Sequence, residues 1–212
     1  MAELPRGTVT FLFTDVEGST SLWEHDPEAM RVALARHDAV VVARIESHGG
    51  AVVKARGEGD SVFAVFTRAS DAVAAATDLQ RALEAEAWPT AMPLRVRMAL
   101  HTGEAELRGG DYYGAAVNRC ARLRAAGHGS QVLLSQATYE LVHDAPPAGI
   151  SLIDLGEHRL RDLLHPERIF QVVSPSLTVE FPPLRGLDAR PHNLPVHPTP
   201  LVGRERELES TR

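Results

Sequence analysis

Apolar side chains recur along this chain with two different periods, and the switches between them outline its elements. Residues 8–14 form a β-branched and aromatic run ending at Asp15, which reads as a buried strand delivering a carboxylate to its C-terminal end. Gly18, Ser19 and Thr20 then offer a turn and a helix cap. Asp26, Pro27 and Glu28 supply a cap, a proline at the first helical position and an acid in the first turn. Met30, Leu34, His37, Val41 and Ile45 follow at helical spacing until Gly49 and Gly50 stop the helix. Residues 51–56 and 61–66 read as two strands, and the connection Gly57, Glu58, Gly59, Asp60 is short enough for a β-hairpin.

Ser70 and Asp71 cap an alanine-rich helix reaching about residue 87, with Val73, Ala76, Leu79 and Leu83 on one stripe. Residues 94–101 read as a fourth strand. The order strand, helix, strand, strand, helix, strand is the ferredoxin-like βαββαβ pattern, an α+β fold. A helix over 114–126 closed by Gly127, a strand at 131–134, a helix at 135–142 and strand candidates near Ile153 and at 169–173 extend that core. Prolines crowd residues 174–200, at 175, 182, 183, 191, 195, 198 and 200, and no apolar period persists there, so this stretch reads as a linker or surface tail. Residues 201–208 regain helical character. The expected organisation is a domain over 1–173, the linker over 174–200 and the start of a further domain over 201–212.

Composition narrows the class. A length of 212 residues suits one core plus an extension, and 44% hydrophobic with 24% charged residues is globular rather than disordered, collagen-like or disulfide-built. Cys120, the single cysteine, has no intrachain partner for a disulfide, and no N-terminal run has the make-up of a signal peptide, so a cytoplasmic location is expected. Apolar runs fall far below the roughly 18 to 20 residues of a membrane span. With 22 basic against 28 acidic side chains and no basic stripe, direct nucleic-acid binding is not expected. The basic residues are nearly all arginine, and Lys54 is the sole lysine.

Asp15 at a strand end and Asp60 in the hairpin are two carboxylates that neighbouring strands of one sheet can bring together. Hard divalent ions are held by one or two carboxylates plus substrate phosphates, and a pair of ions about 4 Å apart activates an attacking oxygen while stabilising a leaving one. Each acid alone is weak evidence, since an Asp near a turn is usually a cap. The Gly18, Ser19, Thr20 turn directly after Asp15 adds backbone N–H groups suited to phosphate oxygens.

With these residues in view, the chain resembles the catalytic domain of class III adenylate and guanylate cyclases, in particular the bacterial type joined to ATPase and regulator modules. The resemblance runs from about Gly7 to Val173, through the motif around Asp15, the GEGDS motif ending at Ser61, the LHTGE motif from Leu100 to Glu104, and the run from Tyr113 to Leu123. It implies that Asp15 and Asp60, helped by the Val16 carbonyl, bind two Mg²⁺ or Mn²⁺ ions, and that Gly18, Ser19 and Thr20 meet the triphosphate. It implies that Asn118 orients the ribose and Arg122 stabilises the transition state. These two are four apart on one predicted helix and leave the same face. Arg56 and Asp111 match the base-selecting positions. Asp111 favours ATP; Arg56 departs from the lysine of adenylate-forming members, and its fork can also donate to guanine O6. Lys54, two residues away on the same strand, is a minor alternative that a bulge would present. Arg159 and Arg161 are candidates for the β- and γ-phosphates.

In the family the metal aspartates and the Asn-Arg pair come from opposite subunits, so a homodimer is expected, with ATP as substrate and cyclic AMP as product. Residues 201–208 resemble the start of an ATPase domain. Two rivals stand beside this reading: a catalytically quiet nucleotide-sensing dimerisation module, and a guanylate cyclase. A polymerase or cyclic-dinucleotide synthase on the same core is disfavoured, because such enzymes should carry a different loop motif. His101 reads as a packed or hydrogen-bonding residue and Cys120 as a buried small apolar one.

Overall fold

The computed structural model describes residues 4–55 and 59–187. Arg56, Gly57 and Glu58, the later part of the proline-rich segment and the whole of 201–212 lie outside the described residues. Alternation along β1 (Thr8–Val16) makes it a central strand: Val9, Phe11 and Phe13 are buried on one face of the sheet, and Leu12 and Val16 on the other. Around it lie α1 (Ser19–His25), α2 (Pro27–Ser47), β2 (Ala51–Ala55), β3 (Val62–Phe66), α3 (Ala69–Ala85) and β4 (Val96–Glu104). Beyond these come β5 (Glu106–Arg108), β6 (Asp111–Tyr113), α4 (Ala115–Ala126), β7 (Val132–Ser135), α5 (Gln136–Val142), β8 (Ser151–His158) and β9 (Glu167–Val173).

The main sheet has the order β2-β3-β1-β4-β7-β9-β8. Its first four strands are the βαββαβ core, with β1 antiparallel to both β3 and β4. The β4–β7 pair is parallel, and β9 then pairs antiparallel with β7 and β8. One core lies between the sheet and α2 and α3, built on Met30, Val41, Ile45, Val73, Leu79 and Leu100. A second lies beneath α4, where Phe11, Phe13, Phe63 and Tyr112 form a ring cluster with Phe13 stacked on Phe63 at 4.4 Å.

Local signals explain most boundaries. Asp26 caps α2 by accepting from the Ala29 N–H at 2.9 Å, a contact worth about 1 kcal/mol. Gly50 follows that helix because a Cβ there would lie 2.4 Å from the Phe66 ring. The α3 helix begins at Ala69 after Arg68 at the cap position, so Ser70 and Asp71 sit in its first turn rather than capping it. The β5–β6 hairpin is new: Gly109 and Gly110 turn it at φ of 61° and 77°, which glycine adopts without strain. Residues 174–187 lie against the domain with Leu177 and Leu184 buried.

Candidate active site

The end of β1 and the start of β3 converge. Antiparallel pairing sets Phe13 opposite Phe63, so Asp15 and the residues just before β3 fall at the same end of neighbouring strands. Asp15 and Asp60 are each 6% exposed. Ser61, the neighbour of Asp60, donates to the Thr14 carbonyl at 3.2 Å and lies 3.4 Å from Asp15 Oδ1, while the Val62 N–H donates to Thr14 Oγ1 at 3.2 Å. The Asp60–Ser61 step is thus tied to the Asp15 end of β1, and Val16 after it is buried.

Two arginines crowd that corner. Arg97 is the register partner of Asp15 on β4, and its Nε donates to Asp15 Oδ2 at 2.6 Å while Nη2 also engages that oxygen. Arg124, from the last turn of α4, donates through Nη1 to Ser61 Oγ at 2.6 Å and to the Thr14 carbonyl at 3.3 Å, and stands 4.0 Å from Asp15 Oδ1. Its guanidinium lies over the Phe13 ring, 5.8 Å from the centroid. Among the described residues its buried Nε has no hydrogen-bond partner, a costly state that an arriving acceptor relieves. The sequence pattern singles out neither arginine. Arg97 shares a face of β4 with the buried Ala99, but only the pairing register reveals that it faces Asp15.

Asn118 and Arg122 separate. Asn118 lines a cleft of about 200 Å³ with Phe13, Ser61, Phe63, Val117 and Arg124. Arg122 instead pairs with Asp162 at 2.7 Å on the loop after β8, and Arg161 lies 3.9 Å from the same carboxylate. Arg159 is exposed on that loop. Asp111 stands on β6, where its Oδ1 accepts from the Tyr112 N–H at 2.8 Å, and it does not line the Asn118 cleft. Arg56 lies outside the described residues. The β2 strand is bulged between Val52 and Lys54.

Gly18 opens the turn after Asp15 at φ 71°, the left-handed region, and its carbonyl accepts from the N–H groups of Ser21 at 3.1 Å and Leu22 at 3.3 Å. Ser19 is half-buried and Thr20 exposed. Glu17 braces this turn. Burial pushes its carboxyl up, but the hydrogen bond from Arg185, the Gly129 N–H and the charges of Arg185 and Arg95 together hold it below the ordinary value.

The donor set suits a hard divalent ion carried with a phosphate: two buried carboxylates, beside guanidinium donors of which one is unsatisfied. Among the described residues no cluster of three or more His, Cys, Asp or Glu gathers, so such an ion would draw its other ligands from backbone, water and substrate. Outside this corner, His101 is buried with Nδ1 2.8 Å from Ser135 Oγ, and burial together with the Arg119 charge lowers its pKa to about 4. Cys120 is fully buried, and burial pushes its thiol up to about 12.

A buried acidic corner flanked by arginines on an extended ferredoxin-like core sets the class of fold, and comparison with known proteins gives its family. The family model of the adenylate and guanylate cyclase catalytic domain matches residues 1–164, and the chain belongs to that family. An uncharacterized protein of Mycobacterium tuberculosis is 48% identical over 205 residues, covering 96% of this chain and 70% of that protein. The adenylate cyclase of Neurospora crassa is 32% identical over 183 residues, 74% of this chain but 8% of that protein. Among solved structures, an adenylate cyclase of Trypanosoma brucei in its monomeric state superposes with a TM-score of 0.78 at 27% identity, covering 87% of this chain and 96% of that one. The adenylyl cyclase CyaB of P. aeruginosa superposes at 0.66 with 25% identity, covering 82% and 97%. No helix among the described residues is long and apolar enough to cross a membrane.

Proposed function

We propose that this chain is an adenylate cyclase that converts ATP to 3′,5′-cyclic AMP and pyrophosphate at sites shared between two copies of itself. The observation that carries the reading is the corner where Asp15 and the Asp60–Ser61 step meet at one end of β1 and β3, directly before the Gly18 turn. Asp15, Asp60 and the Val16 carbonyl would hold two Mg²⁺ or Mn²⁺ ions, which when bound activate the ribose 3′-hydroxyl and neutralise the departing pyrophosphate.

The residues of the chain do the rest. Asp15 is neutralised by Arg97 in the free chain, so engaging a cation opens that ion pair and releases a guanidinium beside the arriving phosphates. Gly18, Ser19 and Thr20 receive the triphosphate at the start of α1. Asn118 would hold the ribose so that its 3′-oxygen lies in line with the α-phosphorus; a new P–O bond forms there as the hydroxyl proton passes to solvent water and the bond from the α-phosphorus to the oxygen bridging the β-phosphate breaks. Arg122 leaves Asp162 to stabilise the charge that develops on the α-phosphate. In the dimer, Asn118 and Arg122 of one copy serve Asp15 and Asp60 of the other. Arg159 and Arg161, on the loop after β8, would engage the outer phosphates. The Asp111 carboxylate accepts from the adenine 6-amino group and repels the guanine 6-oxo group, with Arg56 addressing the ring edge.

A second reading has its own observation. Asp15 and Arg122, both assigned to chemistry, are engaged by Arg97 and Asp162 in the free chain, as suits a module that binds nucleotide without turning it over. Purified chain incubated with Mn²⁺ and either ATP or GTP, with chromatographic separation of products, decides between them. The expected result is more cyclic AMP than cyclic GMP, and none from Asp15→Ala. No cyclic product from either nucleotide, with ATP binding retained, favours the sensing module; excess cyclic GMP makes the chain a guanylate cyclase.

A further inference from the structure

The segment after β9 does not leave the domain at Val173. Ser174 is buried against Arg81, whose Nε also donates to Ser176 Oγ at 2.8 Å. Leu177 is buried, and Gln171 Nε2 donates to the Val179 carbonyl at 2.8 Å. Further along, His128 Nε2 lies 3.0 Å from the Pro183 carbonyl and Leu184 is 5% exposed. The Arg185 N–H donates to the Ala126 carbonyl at the end of α4, and the Leu187 N–H to the Arg159 carbonyl, both at 2.9 Å. The strap therefore crosses from β9 to the α4–β7 connection, pinned by backbone bonds at its far end.

Those bonds fix where one side chain goes. Arg185 Nη2 donates to Glu17 Oε1 at 2.5 Å. Glu17 is the single residue between Val16 and Gly18, and it is held from several sides. Its own N–H donates to the Arg95 carbonyl at 2.9 Å, its Oε2 lies 3.9 Å from Arg95 Nη2, and it packs so closely on Gly129 that a Cβ there would sit 2.8 Å from Oε2. The Arg95 pairing is long, which leaves Arg185 as the close cationic partner. Gly18, the next residue, must hold φ 71° for α1 to begin. A carboxylate anchored one peptide before that glycine restrains the turn.

We propose that Arg185 is a positioning residue: by anchoring Glu17 it holds the Val16-to-Thr20 turn in the conformation that receives the triphosphate, which makes the 174–187 strap a working part of the catalytic unit. The inference rests on the nucleotide-binding role given above to Gly18, Ser19 and Thr20. Arg185 touches no reacting atom and acts through Glu17. Its side chain is 47% exposed, so truncation leaves no buried void, and Glu17, 18% exposed, loses a partner without losing its place in the turn.

The test uses the full chain as wild type, Arg185→Ala, Arg185→Lys, Glu17→Gln, and Arg168→Ala as a control that breaks an ion pair whose arginine is similarly exposed, between β9 and the edge strand β8. ATP affinity in the presence of Mn²⁺ is measured by calorimetry, and KM and kcat by cyclic-product formation. The expected result for Arg185→Ala is ATP affinity weaker and KM higher by about 3- to 10-fold, the scale of one misplaced turn, with kcat changed less than about 2-fold. Glu17→Gln shifts in the same direction, Arg185→Lys recovers much of the loss, and Arg168→Ala matches wild type. All variants should melt within about 2 °C of wild type, as expected for a partly exposed pair. Affinity unchanged in Arg185→Ala, or lost only in step with thermal stability, overturns the proposal. Because affinity is read independently of turnover, a wild type that binds ATP without cyclising it sinks the cyclase reading while leaving the Arg185 test intact; a wild type that does neither overturns both.

Discussion

Protonation of His101 is the sharpest quantitative test of the packing around β4. The ring is 6% exposed, bonded through Nδ1 to Ser135 Oγ, and close enough to Gly103 that a Cβ there would lie 3.3 Å from Nε2 and 3.0 Å from Ala116 of α4. Burial first, then the Arg119 charge, lowers its pKa from 6.5 to about 4. The folded chain thus keeps the ring neutral down to about pH 4, whereas the unfolded chain takes up a proton near 6.5. Between those values the unfolded state binds more protons, so stability falls as pH drops through that window and is insensitive to this group above it. At about 1.4 kcal/mol per unit the full gap corresponds to roughly 3 kcal/mol. Urea unfolding of wild type and His101→Gln at pH 7.5 and 4.5 isolates the effect, because titration of the carboxylates cancels between the two proteins. Glutamine can still hydrogen-bond Ser135 but carries no titrating ring. Wild type should lose roughly 2 to 3 kcal/mol more than the variant on acidification. Equal losses, or a native imidazole that titrates near 6.5 by NMR, would refute the argument.

Other substitutions probe separate parts of the account. Gly50→Ala drives a methyl into the Phe66 ring and should cost about 1–3 kcal/mol or more by chemical denaturation, while Gly49→Ala, with open space but φ of 74°, should cost about 1 kcal/mol. Cys120, fully buried with its thiol pushed up to about 12, should resist a thiol reagent at pH 8 until the chain is unfolded, a difference that absorbance resolves directly. Arg124→Met removes the cation joining Thr14 to Ser61 and should destabilise the chain by about 1–3 kcal/mol, read by thermal melting.

Much of this molecule is legible in its sequence because the informative signals are local. Alternation along residues 8–14, the cap and proline at 26 and 27, and the stripe from Met30 to Ile45 each depend on neighbours within a turn or a strand, and β1 and α2 form where those signals lie. The β5–β6 hairpin escapes because strands of three residues are too short to show a period. The strap escapes for a related reason: it docks through isolated leucines, Leu177 and Leu184, in a proline-rich context that has no repeat.

The site divides in the same way. Asp15 is visible as the acid at a strand end, and Asn118 as a polar residue on a predicted helix. Arg97 is invisible until β4 is set in register against β1, since nothing nearby in the chain marks it as facing Asp15. Helical spacing predicts Asn118 and Arg122 on one face, yet four residues advance the helix by about 40° beyond a full turn. That offset and a long side chain carry Arg122 to Asp162 instead of into the cleft with Asn118. Spacing sets where a side chain begins, and the charges around it decide where it ends.

The central claim, a cyclase whose sites are shared between two copies, is tested most directly by complementation. Asp15→Ala and Arg122→Ala chains are purified, shown by melting to be folded, and assayed with Mn²⁺ and ATP separately and as an equimolar mixture. Shared sites require no cyclic AMP from either variant alone and a substantial fraction of wild-type activity from the mixture, because half of the sites in mixed dimers carry both intact sets of residues. An inactive mixture of two folded variants, beside an active wild type, would contradict the shared site and place both sets of residues in one chain.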